Sequence, residues 1–408
     1  MSTTNTPQWP ARAVIVGAGI AGLALAQRLD RHGWRVSVLE RAPGPRPQGY
    51  MIDFFGPGYD AAAAMGLLPR LRELGHRFPE AALVDEHGRQ RAAIKFEGYA
   101  RALGGELVSI MRPDLERALR ESLPARVEVR YSSTPEQITE HGSGVRVRLG
   151  DGQVVEADLL VGADGIHSTV RRLVFGEEER YLRHLGFHTG AFTFHDARVH
   201  AATRGRFQLT DSLGAQMGLY ALEGDRVAAF TVHRTDDTTL PEDPRAELRR
   251  AYAGLGWLVP RALELCPEPG QIYYDHVAQV EMERWSRGRT VLIGDACQAV
   301  SLLAGQGASM GMGGAYVLGE ELARAGTLAE GLERYEQRWR PVVEERQRAA
   351  RTGTSWFLPS TPGRLRLRRL FLRLSALPGV ERWMATSLSG KPSRVVKDLS
   401  PSGSAKPA

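Results

Sequence analysis

The sequence predicts an α/β protein: a Rossmann-like βαβ domain interrupted by a mostly antiparallel β-sheet domain and followed by C-terminal helices. Three observations predict it. A short β-branched run closed by a Gly-x-Gly-x-x-Gly turn occupies residues 12–22. From about residue 183 to 280 the texture changes to alternating strands with short turns. At residues 290–296 (TVLIGDA) a buried-strand texture returns and runs into a second glycine-rich turn. A chain of 408 residues is long for one core, which agrees with two interleaved domains.

The elements follow in order. Residues 12–16 (RAVIV) read as a buried parallel strand. IAGLALAQRLDRHG then places Leu23, Leu25, Ala26 and Leu29 near helical spacing, with Gly33 at the stop. WRVSVLE is the second strand of this unit. Residues 41–58, rich in Pro and Gly, are expected to be loop, and residues 59–75 helix. Pro113 suits the first turn of a helix over 113–122. RVEVRYSS and GVRVRLG alternate as half-exposed antiparallel strands do, and ADLLVGADG is again a buried strand entering a glycine turn. GAFTFHD, RFQLTD, AQMGLYAL and RVAAFTV form the inserted sheet, with one helix at PEDPRAELRRAYAG. Residues 308–324 and 328–350 are helical, and Pro341 is expected to kink the second. The expected domains are therefore 10–180 with 281–330, the sheet domain 181–280, C-terminal helices 331–390, and a disordered tail 391–408.

Composition narrows the function classes. Two cysteines, Cys266 and Cys297, make neither a disulfide framework nor a cysteine-rich metal site, and no metal is expected. That fits a reducing, cytoplasmic setting. The opening MSTTNTPQWPAR has no apolar h-region, and no apolar run reaches the length of a membrane span. The net charge of +6 is local: residues 361–397 hold nine basic side chains against Glu381 alone. The remainder is slightly acidic, so a whole-surface nucleic-acid footprint is not expected. In that basic segment GRLRLRRLFLRLSALPGVERWMATSL pairs arginines with Leu, Phe and Trp, and Leu377-Pro378-Gly379 breaks its helix. It reads either as an interfacial helix giving weak contact with anionic lipid or as a helix packed on the body with solvated arginines.

The first motif is Gly17-Ala-Gly19-Ile-Ala-Gly22. Gly17 permits the tight turn, Gly19 lets backbone approach a pyrophosphate, and Gly22 lets the helix pack closely. Glu40 ends the second strand, where an acid accepts hydrogen bonds from a ribose. An acid there disfavours a ribose 2′-phosphate, so the nucleotide is FAD or NAD rather than NADP.

The second and third motifs are VGADGIHSTVR at 161–171 and a segment from GDA at 294 to GQG at 305–307. With the first motif, in this order and with these gaps, the chain resembles the FAD-dependent aromatic hydroxylases, single-component flavoprotein monooxygenases of the p-hydroxybenzoate hydroxylase type. The stretch GYMIDFFGPGYDAAAAMGLL is most similar to bacterial members that hydroxylate polycyclic polyketides or inactivate tetracyclines.

The resemblance implies a Rossmann-like FAD-binding domain with Gly17, Gly19 and Gly22 on the FAD pyrophosphate, Glu40 on the adenosine ribose and Arg41 flanking the adenosine. It puts Arg112 at the phosphate and ribityl region, Asp164 in a turn serving FAD and NAD(P)H, and Asp295 on the ribityl chain. Gly307 and Ala308 would face the flavin pyrimidine edge, and Arg46 would lie beside the isoalloxazine. Arg112 also reads as a solvated helix-end residue, Asp164 as a turn carboxylate, and Arg46 as a loop surface charge. The implied reaction uses NAD(P)H and O₂ to hydroxylate an aromatic or polyketide-like molecule through a flavin hydroperoxide, so no catalytic side chain is named. An epoxidase, a reductase without oxygen transfer and a flavin-binding protein without turnover are the alternatives. His195, Gln216 and Tyr220, on strands of the inserted sheet, are the substrate-facing candidates, each of which also reads as structural. The sequence departs from the family pattern after Asp295: Cys297 and Gln298 stand where Ala and His are usual, Ser301 or Leu302 near the usual Pro, and Ser309 for Asn.

Overall fold

The computed structural model describes residues 12–46, 49–76, 79–97, 100, 106–301, 305–374 and 393–400. A six-stranded sheet forms from the buried runs. Across it the strands are Ser286–Arg287, Thr290–Leu292, Leu159–Gly162, Arg12–Val16, Arg35–Leu39 and Glu128–Arg130. All neighbours pair in parallel except the first two. Ile15, Val38, Leu160 and Val291 have no exposed surface, which is why these strands lack alternation. The helix Ile20–Arg31 packs against the helix Gly307–Arg324. Arg28 of the first and His32 just after its end both bond the Glu320 carboxylate of the second. Residues separated by almost the whole chain thus share one core.

The second sheet has seven strands, in the order Tyr273–Val280, Leu182–His195, Arg226–Arg234, Ala215–Ala221, Arg206–Ser212, Glu80–Val84 and Gln90–Lys95. The last two correct the expected boundary at residue 180. Glu80–Val84 adds to Arg206–Ser212 in parallel, the one parallel pair of this sheet among the described residues, so residues from the first body complete the second. Phe192, Met217, Leu219, Leu248 and Tyr252 form the core beneath it.

Three further expectations are corrected. Residues 41–58 are not all loop: Met51–Phe55 is a strand paired with Leu107–Met111, and a helix starts at Pro57. The helix expected over 59–75 is two, Pro57–Ala64 and Leu68–Leu74, separated at Gly66 with φ +75°. The tail expected to be disordered over 391–408 contains a helix, Val395–Leu399, with Val396 and Leu399 buried in the main core; residues 391–392 and 401–408 lie outside the described residues. The long helix Leu328–Phe357 continues through Pro341.

The basic segment docks rather than standing free. In the helix Pro362–Leu374, Arg368 is buried and bonds Asp211 at 2.9 Å and Gln216 at 3.1 Å, and Arg369 bonds Asp211 at 2.6 Å. The expected break at Leu377-Pro378-Gly379 lies outside the described residues. No helix among the described residues is long and apolar enough to cross a membrane.

Candidate functional site

A cavity of about 960 Å³ opens at the carboxyl ends of the parallel strands, where open α/β sheets bind ligands. That volume is at the upper end of ordinary ligand sites. Its walls are Val16 to Ala21, Glu40 to Arg46, Ala163 to Thr169 and Gly294 to Gly311 in part, with Arg112 and the strand Tyr273–Val280 opposite. Of the cofactor-binding candidates, Gly17, Gly19, Glu40, Arg41, Arg46, Arg112, Asp164, Asp295, Gly307 and Ala308 all line it. Gly22 does not.

The reason lies in the turn itself. Gly17 has φ +109°, and a Cβ there would sit 2.3 Å from the Ala163 carbonyl oxygen. A Cβ on Gly22 would sit 2.0 Å from the Gly17 carbonyl oxygen, so Gly22 lets the helix close onto the turn from behind. Gly19 differs: a Cβ there would meet only the Arg112 guanidinium, at 4.0 Å. The protein does not need that glycine; the open space in front of it does. The helix that begins there has no side-chain cap and no acid in its first turn, so its N–H groups and partial positive charge face the cavity. Glu40 clasps this turn, accepting from Ala18 N at 2.9 Å and Ala42 N at 2.9 Å. Arg46 lies 3.8 Å from Glu40, so its guanidinium is at this end of the cavity rather than beside the second glycine turn.

The other walls are tied together by side chains. Asp164 accepts from the Ser168 hydroxyl at 2.5 Å and from Val170 N at 3.1 Å, holding the start of the helix Thr169–Val174. Its turn role is therefore real, and it still faces the cavity. Burial raises its pKa, opposed by the Ser168 hydrogen bond. Arg171, with no exposed surface, donates to the carbonyls of Ile166 and Ala296 and pairs with Glu178. It links the GADG and GDA turns. Asp295 is open to the cavity but walled by protein. Burial raises its pKa, the Asp275 carboxylate adds to that, and Arg112 opposes it. Arg112 pairs with Glu116 at 3.0 Å. Ser301, on the cavity wall, has φ +122°, a conformation closed to proline, whose ring fixes φ near −65°. At this position the backbone itself excludes the proline of the family pattern. Cys297 and Gln298 are buried behind the wall; Gln298 packs near Trp339 and Gly314.

The substrate-facing candidates fare differently. His195 is exposed and pairs with Asp225 at 2.7 Å. Gln216 is covered by the basic helix through Arg368. Tyr220 is buried, and its hydroxyl accepts from Met51 N at 2.8 Å. None lines the cavity. Gln216 and Tyr220 share a sheet face by the two-residue period, but two other elements already cover it. Instead the edge strand Tyr273–Val280 and the strand Met51–Phe55 supply the wall, with Tyr50, Ile52, Ile272 and Tyr273. The Tyr50 ring packs 5.7 Å from Tyr273 and 5.4 Å from Phe230. Burial pushes both phenols up, so they stay neutral hydroxyl donors. These residues carry no motif; only the pairing that makes Tyr273–Val280 an edge strand reveals them. His167 is a further omission. It bonds Asp275 at 2.9 Å and Glu178 at 2.8 Å, and those bonds push its pKa up to about 10.

A cavity of this volume, an uncapped helix N-terminus, a glycine whose missing Cβ faces open space and an acid at the second strand's end fit a dinucleotide such as FAD. Comparison with known proteins identifies which. The model of the FAD binding domain family matches residues 11–350. An uncharacterized Mycobacterium tuberculosis protein is 35% identical, over 82% of this chain and 91% of its own. A flavin-dependent monooxygenase of Legionella longbeachae is 29% identical, over 83% and 87%. Among solved structures, tetracycline destructase Tet(51) superposes with a TM-score of 0.77 and 26% identity, over 90% of this chain and 99% of its own. Klebsiella pneumoniae HpxO complexed with FAD and uric acid shares the fold, with a TM-score of 0.77 at 23% identity, over 94% and 98%. Because the family match takes in every wall of the cavity, the chain belongs to the FAD binding domain family and is an FAD-dependent monooxygenase.

Proposed function

We propose that the enzyme hydroxylates an aromatic or polycyclic small molecule with NAD(P)H and O₂. One observation carries the substrate class: the wall formed by Tyr50, Ile52, Tyr273 and Val300 is apolar and aromatic and is continuous with the cofactor cavity. Flat, electron-rich molecules pack on such rings, and neutral phenol hydroxyls orient their polar groups. The likeness to a tetracycline destructase supports a fused-ring phenol as the first substrate to try.

In this reading FAD, when bound, supplies the redox chemistry. The chain's residues do the rest. Gly17, Gly19 and the first turn of Ile20–Arg31 take the pyrophosphate with backbone N–H groups, while Gly22 keeps that turn in place. Glu40 takes the adenosine ribose, with Arg41 and Arg46 flanking that end. Arg112 faces the phosphates, and Asp295 accepts from the ribityl hydroxyls. The N–H groups of Gly307 and Ala308, at the start of the helix Gly307–Arg324, would face the flavin pyrimidine edge and stabilise negative charge there. Asp164 holds its turn in register. The aromatic wall excludes water from the reacting face.

Purified protein with bound FAD is the test. Substrate-stimulated NAD(P)H consumption and a product one oxygen atom heavier support the reading. NAD(P)H oxidation without any oxygenated product across tetracyclines and simpler phenols sinks it.

A further inference from the structure

His167, Asp275 and His276 meet where the two bodies face each other. His167 lies on the turn after the strand Leu159–Gly162, in the first sheet. Asp275 and His276 lie on the strand Tyr273–Val280, at the edge of the second. One ligand atom from each lies within 4.8 Å of the others.

The hydrogen bonds fix the state of the rings. His276 Nε2 contacts the Thr238 carbonyl oxygen at 2.9 Å. A carbonyl only accepts, so Nε2 carries the proton and Nδ1 of the neutral ring is a bare lone pair. His276 is only 9% exposed, and among the described residues its Nδ1 makes no hydrogen bond; the nearest carboxylate oxygen, Asp275 Oδ1, is 3.8 Å away. A buried lone pair beside a carboxylate oxygen attracts a cation, not another acceptor. Across from it, His167 Nε2 is 2.9 Å from the same Oδ1, while its Nδ1 bonds Glu178 at 2.8 Å. Each histidine thus has its outer nitrogen held by an oxygen acceptor and its inner nitrogen aimed at Asp275. That is the outer-shell arrangement of metal-ligating histidines. The contacts at 2.9 and 3.8 Å straddle the roughly 3.4 Å that separates ligand atoms of a tetrahedral zinc ion.

We propose that these three residues bind a divalent transition metal of the zinc class, with water as fourth ligand, and that the ion clasps the two sheets together at the cavity wall. Two imidazoles and one carboxylate are a donor set for Zn²⁺, Ni²⁺ or Cu²⁺ rather than Mg²⁺ or Ca²⁺. The ion displaces the proton that His167 Nε2 shares with Asp275, so one proton is released per metal bound. The His184 and His188 rings lie 4.6 and 5.0 Å from that of His276. Arg171 is turned away, onto Glu178 and two carbonyls. The proposal does not depend on which molecule is hydroxylated.

The experiment is a calorimetric Zn²⁺ titration of untagged, chelator-treated, FAD-loaded protein in two buffers of different ionisation heat. One saturable site per chain, micromolar or tighter, with a buffer-dependent heat for the released proton, is expected. H276Q and H167Q each weaken it at least about tenfold, and E178Q weakens it by a similar or smaller factor. His276 is buried; if H276Q does not fold, H167Q, at a more exposed position, decides alone. No saturable Zn²⁺ uptake by the wild type, or uptake unchanged in H167Q, overturns the proposal.

Discussion

The two glycine turns of the cavity look alike in sequence and differ in what requires their glycines. At the first, a methyl on Gly17 or Gly22 would run into backbone at 2.3 and 2.0 Å, so the fold itself demands glycine. At the second, a methyl on Gly307 would meet only Asp295 Oδ1 among the described residues, at 3.7 Å, an ordinary contact, whereas Gly305, with φ +62°, is held to glycine by its own backbone. Gly19, inside the first turn, behaves like Gly307. A glycine pattern therefore mixes two kinds of constraint: closure of the chain on itself and room for a guest.

The largest test of this contrast is Gly22→Ala. It is expected to cost about 3 kcal/mol of folding stability, since backbone must move, and thermal unfolding reads it directly. A melting temperature equal to the wild type's would break the distinction. Acid sets a background that must be held fixed in such comparisons. Burial lowers the pKa of His233 to about 4 from 6.5. The unfolded chain then binds more protons than the folded one between those values, so stability is full above the unfolded pKa and is lost as pH falls. For that group alone the loss at pH 5 is about 2 kcal/mol. Denaturant titrations at pH 5 and 7.5 check the slope, and His233→Gln should flatten it.

Asp295→Asn separates stability from binding at the second turn. Its side chain is exposed to the cavity, so in the FAD-free protein water solvates the carboxylate, and removing the charge should leave the melting temperature of the FAD-free protein close to the wild type's. It should weaken FAD by about tenfold through loss of a charge-assisted acceptor, seen by flavin fluorescence on titration. Unchanged flavin affinity would remove Asp295 from the site. The smallest effects belong to Gly19→Ala and Gly307→Ala. Both should fold as the wild type does and bind FAD severalfold more weakly, because each methyl enters the guest's space. A large loss of stability in either would erase the difference between the turns.

What the sequence made legible follows the same division. Residues whose chemistry is local and patterned were readable: the βαβ unit, Glu40 at its strand end, Arg112 opening its helix, Asp295 after a buried strand. Residues defined by partners far along the chain were not. The short strands Glu80–Val84 and Gln90–Lys95 carry no clear alternation and give no sign that they extend a sheet begun at residue 182. Tyr50 and Tyr273 meet only because Tyr273–Val280 is an edge strand. Period two puts Gln216 and Tyr220 on a common face but cannot say that a docked helix and the strand Met51–Phe55 already occupy it. His167 looked like one residue of a turn motif, and its importance lies in Asp275, 108 residues away.

Arg171 has a consequence for biosynthesis. Its guanidinium holds Ile166 and Ala296 at once, and it has no exposure to water. A chain emerging from the ribosome carries a complete first glycine turn after some forty residues, yet this arginine has no second carbonyl until residue 296 is made. A fragment ending before Thr290 keeps the glycine motif but lacks the strand Thr290–Leu292 and the cavity wall from Gly294 to Gly311.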